Sequence, residues 1–521
     1  MGPVPPERPD PLPRIARPRA LLFALPAAGR RWSAGLRAAA AVGVPGAATV
    51  LTGHADIALF VTFGAFAVLY GEGRPYRVRA RVVLTAAVTL VLAAALGTLA
   101  GEVGGEAAVI IVVTVVGVLA VYAVDALRLG PPGALFFALV CGGATVATEA
   151  GADPVAIIVC TALGGLASAA VSMAGILADK TKPERAAVQR AVAAVEAAGD
   201  NPTAEARHAA GSSVSAAWNA VHDAGHEAGS ELATTLIAAH RRFADAAGNP
   251  DEATLPLPRP AVGYRLRRSA TFRSHAMVTA ARVGVTCAAA GSLSAGLGLA
   301  RPHWAILSAL VVLQQGTDRV RANVRGLQRF AGTAVGLGVF AAVSALAPAG
   351  LALVATIAVL QFCIELFVPR NYAVAVVFIT PVALLAGGAA ASGPAGPVLR
   401  DRLVETVLGV ALAVLAQYLL APHAHRATFR WTETRIRAAA RAVLETRDRA
   451  ARRDLQFELE GATRAAVDSA HNDVRWTRDH WPAHAALVHL GYDLLAACWA
   501  GRVDPARWTP AFQSPAQTRR N

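Results

Sequence analysis

Twelve apolar runs, separated by short polar turns, constrain the fold of this chain more than any other feature of its sequence. Six of them lie near residues 34–52, 55–71, 81–100, 107–125, 132–149 and 154–177. The other six lie near residues 277–299, 303–316, 326–346, 349–368, 371–390 and 402–421. Because a helix needs about 20 apolar residues to cross a bilayer, these runs predict membrane-spanning helices. The composition agrees, since 55% of the 521 residues are hydrophobic and only 16% are charged.

The turns between the runs alternate between basic and non-basic, which predicts their orientation. The turn 71–81 carries four arginines, whereas the turns 53–56, 101–106 and 148–153 carry no lysine or arginine. Basic turns stay in the cytoplasm, so both termini of this plasma-membrane protein are expected there. The net charge of +14 lies largely at the ends of apolar runs. It therefore indicates anchoring to the lipid bilayer rather than binding to nucleic acid.

The polar stretches divide the chain into domains. We predict an all-α membrane protein with two parallel repeats of six transmembrane helices, residues 31–180 and 274–422, plus cytoplasmic helical segments. The cytoplasmic segments are residues 181–273 and 423–503, whose apolar positions recur at helical spacing. The proline-rich N-terminus, residues 1–30, and the tail, residues 504–521, are predicted to be disordered.

The second apolar run of each half is unusually short. His303–Gln315 and Ala55–Tyr70 both fall below the about 20 residues that span a bilayer. Short segments at matching places in two halves of a transporter point to a binding site near the midplane. Alternatively, these helices extend into their flanking turns.

Several short motifs follow one another in the second half. They are Trp304, then Arg325, Arg329, Gly332, Thr333 and Gly336, then Tyr372, Thr380 and Pro381, then Arg402, Gly409 and Pro422. In this order they resemble the fusaric-acid-resistance-like (FUSC) family of aromatic acid exporter-like membrane proteins. The resemblance implies export of aromatic carboxylic acids, and the first half is similar in architecture only. The aluminium-activated malate transporters look like distant relatives, which implies an anion channel as the alternative.

The candidate substrate-binding residues are polar or aromatic side chains in or beside the helices of the second half. They are Arg282, Arg301, His303, Trp304, Gln314, Gln315, Arg325, Arg329, Thr333 and Thr380. Arg301 and the cluster Arg400–Arg402 break the positive-inside pattern, and Arg282 lies well inside an apolar run. Each candidate also has a structural explanation, such as lipid anchoring for the arginines and interfacial anchoring for Trp304.

Glu405 and Arg402 are the candidates for proton coupling. Glu405 lies inside the last apolar run, where an ionisable group is costly and faces a cavity or a partner. A carboxyl group in that position could carry a coupling proton. The structural alternative is an ion pair between Arg402 and Glu405 at the spacing i, i+3.

The leading functional hypothesis is gradient-driven export of small organic anions. An anion channel is the second hypothesis, and a non-transporting scaffold whose cytoplasmic helices bind a partner is the third. The sequence contains no nucleotide-binding G-x-x-x-x-G-K-[ST] motif and no convincing catalytic triad, so we do not expect an enzyme. No cofactor or metal site is indicated, and assembly into a homo-oligomer is left open.

Overall fold

The computed structural model describes residues 12–13, 15–25, 31–201, 203–227, 229–244, 256–386 and 395–513, and these ranges contain helices and no strand. A short helix, α1 (Pro18–Phe23), comes first. The first apolar set is α2 (Trp32–Leu51), α3 (Ala58–Leu69), α4 (Tyr76–Val103), α5 (Glu106–Leu127), α6 (Leu135–Glu149) and α7 (Pro154–Met173). The polar helices α8 (Lys182–Asp200), α9 (Ala204–Ala224), α10 (Glu231–Ala244) and α11 (Val262–Ser269) follow.

The second apolar set and the C-terminal polar set complete the chain. The second apolar set is α12 (His275–Gly296), α13 (His303–Leu313), α14 (Arg319–Ala345), α15 (Gly350–Phe367), α16 (Tyr372–Ala386) and α17 (Ala395–Leu419). The C-terminal polar helices are α18 (Ala424–Thr446), α19 (Arg449–Asn472), α20 (Val474–Trp499) and α21 (Pro505–Trp508).

Eight helices of the described chain are long and apolar enough to cross a membrane, namely α2, α4, α5, α7, α12, α14, α15 and α17. The outer face of α4 shows why the protein needs a lipid environment. It exposes a stripe of large apolar side chains at helical spacing, formed by Leu84, Val88, Leu92, Leu96, Leu99 and Val103. The predicted all-helical, multi-pass membrane fold is therefore confirmed.

The four remaining apolar helices, α3, α6, α13 and α16, are shorter. They form the centre of the membrane domain, because every residue of α13 and thirteen consecutive residues of α6 are buried. Glycines permit the close approach of the long helices that surround them. A Cβ atom on Gly409 of α17 would lie 2.2 Å from the carbonyl oxygen of Ala305, and one on Gly164 of α7 would lie 2.0 Å from that of Val61.

The two apolar sets share one hydrophobic core. Helix α2 of the first set packs along α15 of the second, and α5 of the first set packs along α12 of the second. At one of these contacts, Arg31 at the start of α2 donates to Glu365 of α15 at 2.7 Å. The halves therefore interlock rather than stand side by side.

The two polar sets, α8–α11 and α18–α21, form one unit that we call the polar domain. Arg207 of α9 pairs with Asp493 of α20 at 2.5 Å, and the rings of Trp218 and Trp499 are 6.3 Å apart. Sequence analysis treats these sets as separate segments. Their association buries apolar faces that neither set could cover alone.

Two stretches predicted to be disordered are partly ordered instead. Within residues 1–30, α1 is held by side-chain amides, since Gln328 and Asn371 donate to the carbonyl oxygens of Leu21 and Leu22. Within residues 504–521, α21 and the turn after it bury two aromatic residues, one of them Trp508. Residues 1–11, 14, 26–30 and 514–521 lie outside the described chain.

Candidate functional site

A cavity of about 220 Å³ lies where α13, α16 and α17 meet, and we call it the Arg402 cavity. Arg301, Trp304, Asp401, Arg402 and Glu405 line it together with apolar side chains. Four of these five residues, all except Asp401, are predicted site residues, and they come from two stretches about a hundred positions apart. The structure brings them to one place.

Arg402 lies against the ring of Trp304 and has no acidic partner within ion-pair distance in the described chain. Its guanidinium carbon is 3.6 Å from the ring centroid, and only 2% of the residue is exposed. Its Nε and Nη1 atoms are buried and lack a hydrogen-bond acceptor among the described residues. The i, i+3 ion pair with Glu405 considered from the sequence is therefore not formed, and a cation–π contact holds the side chain.

Glu405 is fully buried and only half satisfied. One carboxylate oxygen accepts a hydrogen bond from the backbone N–H of Arg301 at 3.1 Å. The other, Oε2, has no hydrogen-bond partner in the part of the chain that the structure describes. A buried carboxylate with a free acceptor beside a cavity can take up a proton or contact a ligand.

His303 supports this cavity without lining it. The residue is 2% exposed, and its ring centroid is 4.6 Å from that of Trp304. Its other side packs against Gly142 of α6, where a Cβ atom would come within 2.9 Å of the imidazole. His303 therefore positions Trp304 rather than facing a ligand.

A second cavity, of about 280 Å³, lies at the other end of α13, and we call it the Arg325 cavity. Gln314, Gln315, Arg325 and Tyr372 line it, and the first three were predicted as site residues. The guanidinium of Arg325 lies 4.1 Å from the ring centroid of Tyr372. Gln314 accepts a hydrogen bond from the backbone of Ala134 at 3.1 Å, which fixes its amide.

Sequence analysis missed three charged residues of the Arg325 cavity, Asp125, Arg128 and Arg464. Arg464 comes from α19 of the polar domain and pairs with Asp125 at 3.3 Å. Burial and the nearby charge of Arg268 lower the pKa of Arg128 to about 10, so Arg128 stays cationic at neutral pH. In the sequence, Arg128 looks like an ordinary cytoplasmic anchor, and no signal marks Arg464.

Arg329 lies between the two cavities. It follows Arg325 by one turn of α14, a rise of about 6 Å, and it is 2% exposed. No residue of the described chain forms a hydrogen bond or ion pair with it, and its positive charge is close enough to Arg402 to repel it. Thr333, one turn after Arg329, and Thr380 of α16 are fully buried, and their hydroxyl groups also lack partners among the described residues.

Gly332 and Gly336 bring α14 against α16. A Cβ atom on Gly332 would lie 2.4 Å from the carbonyl oxygen of Ala373, and one on Gly336 would lie 2.8 Å from the Cβ atom of Thr380. The two glycines are therefore required for helix packing.

Arg282 is the one predicted substrate-binding arginine that the structure places away from both cavities. Its three guanidinium nitrogens donate to Leu420, Gln417 and Ala421 at 2.8–3.0 Å. These acceptors lie at the end of α17, so Arg282 satisfies carbonyl groups that the helix leaves open. Its buried charge has a structural use.

The two cavities lie at opposite ends of α13. Trp304 and Gln314 are ten residues apart, which corresponds to about 15 Å along a helix. No residue of the described chain lines both cavities. The short helix therefore separates two recesses by about half of the roughly 30 Å thickness of a hydrocarbon core.

Comparisons with known proteins agree with these features. Residues 286–416 match the family model described as fusaric acid resistance protein-like. The matched segment lies within the second apolar set and includes every predicted site residue except Arg282, so the resemblance in the sequence is confirmed. It indicates a membrane transporter in general.

The chain is also similar to an uncharacterized membrane protein, YvaC, of Bacillus subtilis (strain 168). The two are 26% identical over 551 aligned residues, which cover 89% of this chain and 85% of the relative. No solved structure matches the chain.

Proposed function

We propose that the protein is a gradient-driven transporter that exports organic anions, in particular aromatic carboxylic acids, across the plasma membrane. The observation that carries the proposal is the series Arg325, Arg329 and Arg402. The first lines one cavity, the last lines the other, and Arg329 lies buried between them. A series of cations inside the membrane favours the passage of anions.

Two of the three charges in this series form no ion pair within the described chain. Neither Arg329 nor Arg402 has an acidic side chain within ion-pair distance among the described residues. Placing a cation in a low-dielectric interior is costly unless a negative partner is present. A carboxylate substrate would provide that partner in transit.

Trp304 favours an aromatic substrate. Its ring lines the Arg402 cavity and carries the guanidinium of Arg402 on its face. Its indole Nε1 is buried without a hydrogen-bond acceptor among the described residues. An aromatic acid could place its carboxylate, an acceptor, on the free donors of Arg402 and pack its ring against the indole.

The separation of the Arg325 cavity from the Arg402 cavity supports a carrier rather than an open pore. The about 15 Å of fully buried α13 between Trp304 and Gln314 leaves no shared lining. A carrier that exposes its site to one side at a time requires this kind of barrier. Glu405, with its free oxygen in the Arg402 cavity, is the group that we propose to carry the coupling proton.

We further propose that the two apolar sets are parallel repeats related by a twofold axis along the membrane normal. Equivalent helices make equivalent contacts: α3–α7 corresponds to α13–α17, and α4–α6 corresponds to α14–α16. The contact α2–α15 becomes α12–α5 when the halves are exchanged, as a twofold axis requires. The basic turns then place both termini and the Arg325 cavity on the cytoplasmic side.

The test is transport by the purified chain in proteoliposomes, with labelled benzoate as the first probe and a panel of aromatic and aliphatic acids. We expect benzoate flux that an imposed proton gradient accelerates. Arg329→Gln should reduce the flux at least tenfold, because it removes the central cation. Arg321→Gln is the matched control, since Arg321 lies two turns earlier on α14 with a side chain that is 45% exposed.

Two results would change the proposal. Flux that is equal in liposomes with and without the protein, across the whole panel, would overturn it. Single-channel currents in planar bilayers, far above carrier turnover, would replace the carrier with an anion channel.

A further inference from the structure

A cavity of about 110 Å³ lies inside the polar domain, between its two helical sets, and we call it the Trp499 cavity. Trp218 and His240 line it from the first set, and Arg452, Phe457 and Trp499 line it from the second. An apolar cavity of about 150 Å³ is known to hold benzene. The present cavity is somewhat smaller but opens to solvent, so it suits at most a ligand with one aromatic ring and is too small for a nucleotide.

The wall of this cavity is flat and aromatic. His240 stacks on Trp499 with ring centroids 3.6 Å apart and an angle of 13° between the rings. The indole N–H of Trp218 donates to Nδ1 of His240 at 3.0 Å, so the imidazole hydrogen lies on Nε2. Burial lowers the pKa of His240 to about 3, which keeps the ring neutral at physiological pH.

Two residues of the lining carry buried donor atoms that lack hydrogen-bond acceptors among the described residues. Trp499 is 7% exposed, and its indole Nε1 has no hydrogen-bond acceptor within the described ranges. The Nε and Nη1 atoms of Arg452 are also buried without an acceptor there, while Nη2 donates to the carbonyl oxygen of Arg447 at 3.2 Å. Buried donors are normally satisfied, so these atoms favour a ligand that brings acceptor atoms.

The charge of the lining selects the sign of that ligand. Arg259, Arg449, Arg452 and Arg453 line the cavity, and Glu460 is the single acid among its described lining residues. Arg259 and Arg453 pair with Asp223 and Asp454 at 2.5 and 2.9 Å, whereas Arg452 forms no ion pair within the described ranges. The carboxylate of Glu460 already accepts a hydrogen bond from the hydroxyl of a serine at 2.7 Å. A small anion is therefore favoured, and Arg452 is placed to pair with it.

We propose that the Trp499 cavity binds a small aromatic carboxylate as a ligand of the polar domain. The ring would lie along the wall formed by His240 and Trp499, and the carboxylate would accept hydrogen bonds from Arg452. This site is distinct from the transport path, and its occupancy does not depend on the function proposed above.

The position of the cavity connects such a ligand to the membrane domain through Arg128. Phe457 and Glu460 line the cavity, and both contact Arg128. Arg128 donates to the carbonyl oxygen of Phe457 at 2.8 Å, covers its ring at 3.8 Å and lies 3.8 Å from Glu460. Arg128 also lines the Arg325 cavity. A ligand in the Trp499 cavity would therefore contact the two residues, Phe457 and Glu460, that hold Arg128 at the Arg325 cavity.

The experiment uses the full chain in lipid nanodiscs, 4-azidobenzoate as a photoaffinity probe and benzoate as the competitor. We expect the label in peptides that contain Trp218, His240 or Trp499. Benzoate should compete with this labelling, whereas benzyl alcohol at the same concentration should not. Arg452→Gln should weaken labelling of these peptides about tenfold, because a charge-assisted hydrogen bond is lost. Trp499→Phe, which keeps the stack and removes the donor, should weaken it several-fold.

Matched controls and a path variant separate the outcomes. Arg441→Gln removes an exposed arginine of α18, and Trp508→Phe removes another unpartnered indole N–H outside this cavity, so neither should change the labelling. Arg402→Gln should leave it unchanged while affecting any label in the membrane helices. Label confined to the membrane helices, or label in the polar domain that survives both Arg452→Gln and Trp499→Phe, would overturn the proposal.

Discussion

Replacement of Arg402 by glutamine tests whether this buried cation serves a substrate or the fold. In the structure, Arg402 contacts Trp304 by a cation–π interaction, and its Nε and Nη1 have no acceptor in the described chain. A hydrogen bond between an arginine and a carboxylate contributes about 1.5–3 kcal/mol. Its loss should therefore raise the KM for benzoate by roughly 10- to 150-fold. Arg402→Lys keeps the charge but loses the planar fork, so its KM for benzoate should lie between those of the wild type and Arg402→Gln.

Stability separates a binding role from a structural one. A desolvated cation–π contact is worth about 2 kcal/mol, but the buried, unpaired charge costs a comparable amount, so Arg402→Gln should keep or raise the melting temperature. The assays are initial rates of labelled benzoate uptake in proteoliposomes and thermal unfolding in nanodiscs. Arg400→Gln is the control, because Arg400 is exposed and pairs with Asp401 at 2.8 Å. A KM within twofold of the wild type, or a large drop in melting temperature, would refute the reasoning.

Three further substitutions test packing, docking and pH dependence. Gly409→Ala places a Cβ atom 2.2 Å from a carbonyl oxygen of α13. It should lower the melting temperature, because overpacking typically costs about 1–3 kcal/mol. Gly338→Ala is the control and should leave the melting temperature unchanged, since a Cβ atom there meets nothing within 4 Å. Asp318→Ala removes the N-cap of α14 and the 2.6 Å bond to His471, so hydrogen exchange of the turn before α14 should accelerate, and unchanged exchange would contradict the contact. His240 has a folded pKa of about 3 against about 6.5 unfolded. The unfolded chain therefore binds the extra proton, so His240 should contribute a fall in stability of about 1.4 kcal/mol per pH unit between pH 6.5 and about pH 3. His240→Gln should reduce the slope measured by urea unfolding by that amount.

The membrane fold is readable from the sequence because lipid imposes a simple rule on it. Apolar length and the alternation of basic turns locate all twelve apolar helices, although α4, α14 and α17 begin five to seven residues before their apolar runs. The short second helices, Ala58–Leu69 and His303–Leu313, also follow from run length. The lengths of the short fifth helices, Leu135–Glu149 and Tyr372–Ala386, do not follow from run length. The first apolar run begins in a non-helical turn, and the second continues past the end of the described helix. Hydropathy marks where a chain can enter a membrane and does not mark where a helix stops.

The candidate site is readable only in part. Arg301, Arg402 and Glu405 stand out because each violates the rule that keeps charge out of the membrane or on its inner side. Arg282 violates it equally and caps α17 instead, since a buried arginine looks the same in sequence whether it binds a helix end or a ligand. Arg464 obeys every local rule, and only tertiary packing brings it to the Arg325 cavity.

The same packing explains why the polar domain should bear on transport. The turn between α13 and α14 is held by α19, where Asn472 donates to the carbonyl oxygen of Thr317 at 2.7 Å and His471 bonds Asp318. Burial raises the pKa of Asp468, but hydrogen bonds from His275 and Thr317 outweigh it, so the pKa lies below its usual range.

The Asp468 carboxylate therefore stays ionised at neutral pH, and the stabilisation it provides is lost only as the pH falls through that low pKa. Since this turn begins the helix that carries Arg325 and Arg329, any motion of α14 during transport must move or break these bonds. We therefore expect the polar domain to affect transport: a variant that breaks these bonds should change transport rates while both cavities keep their lining residues.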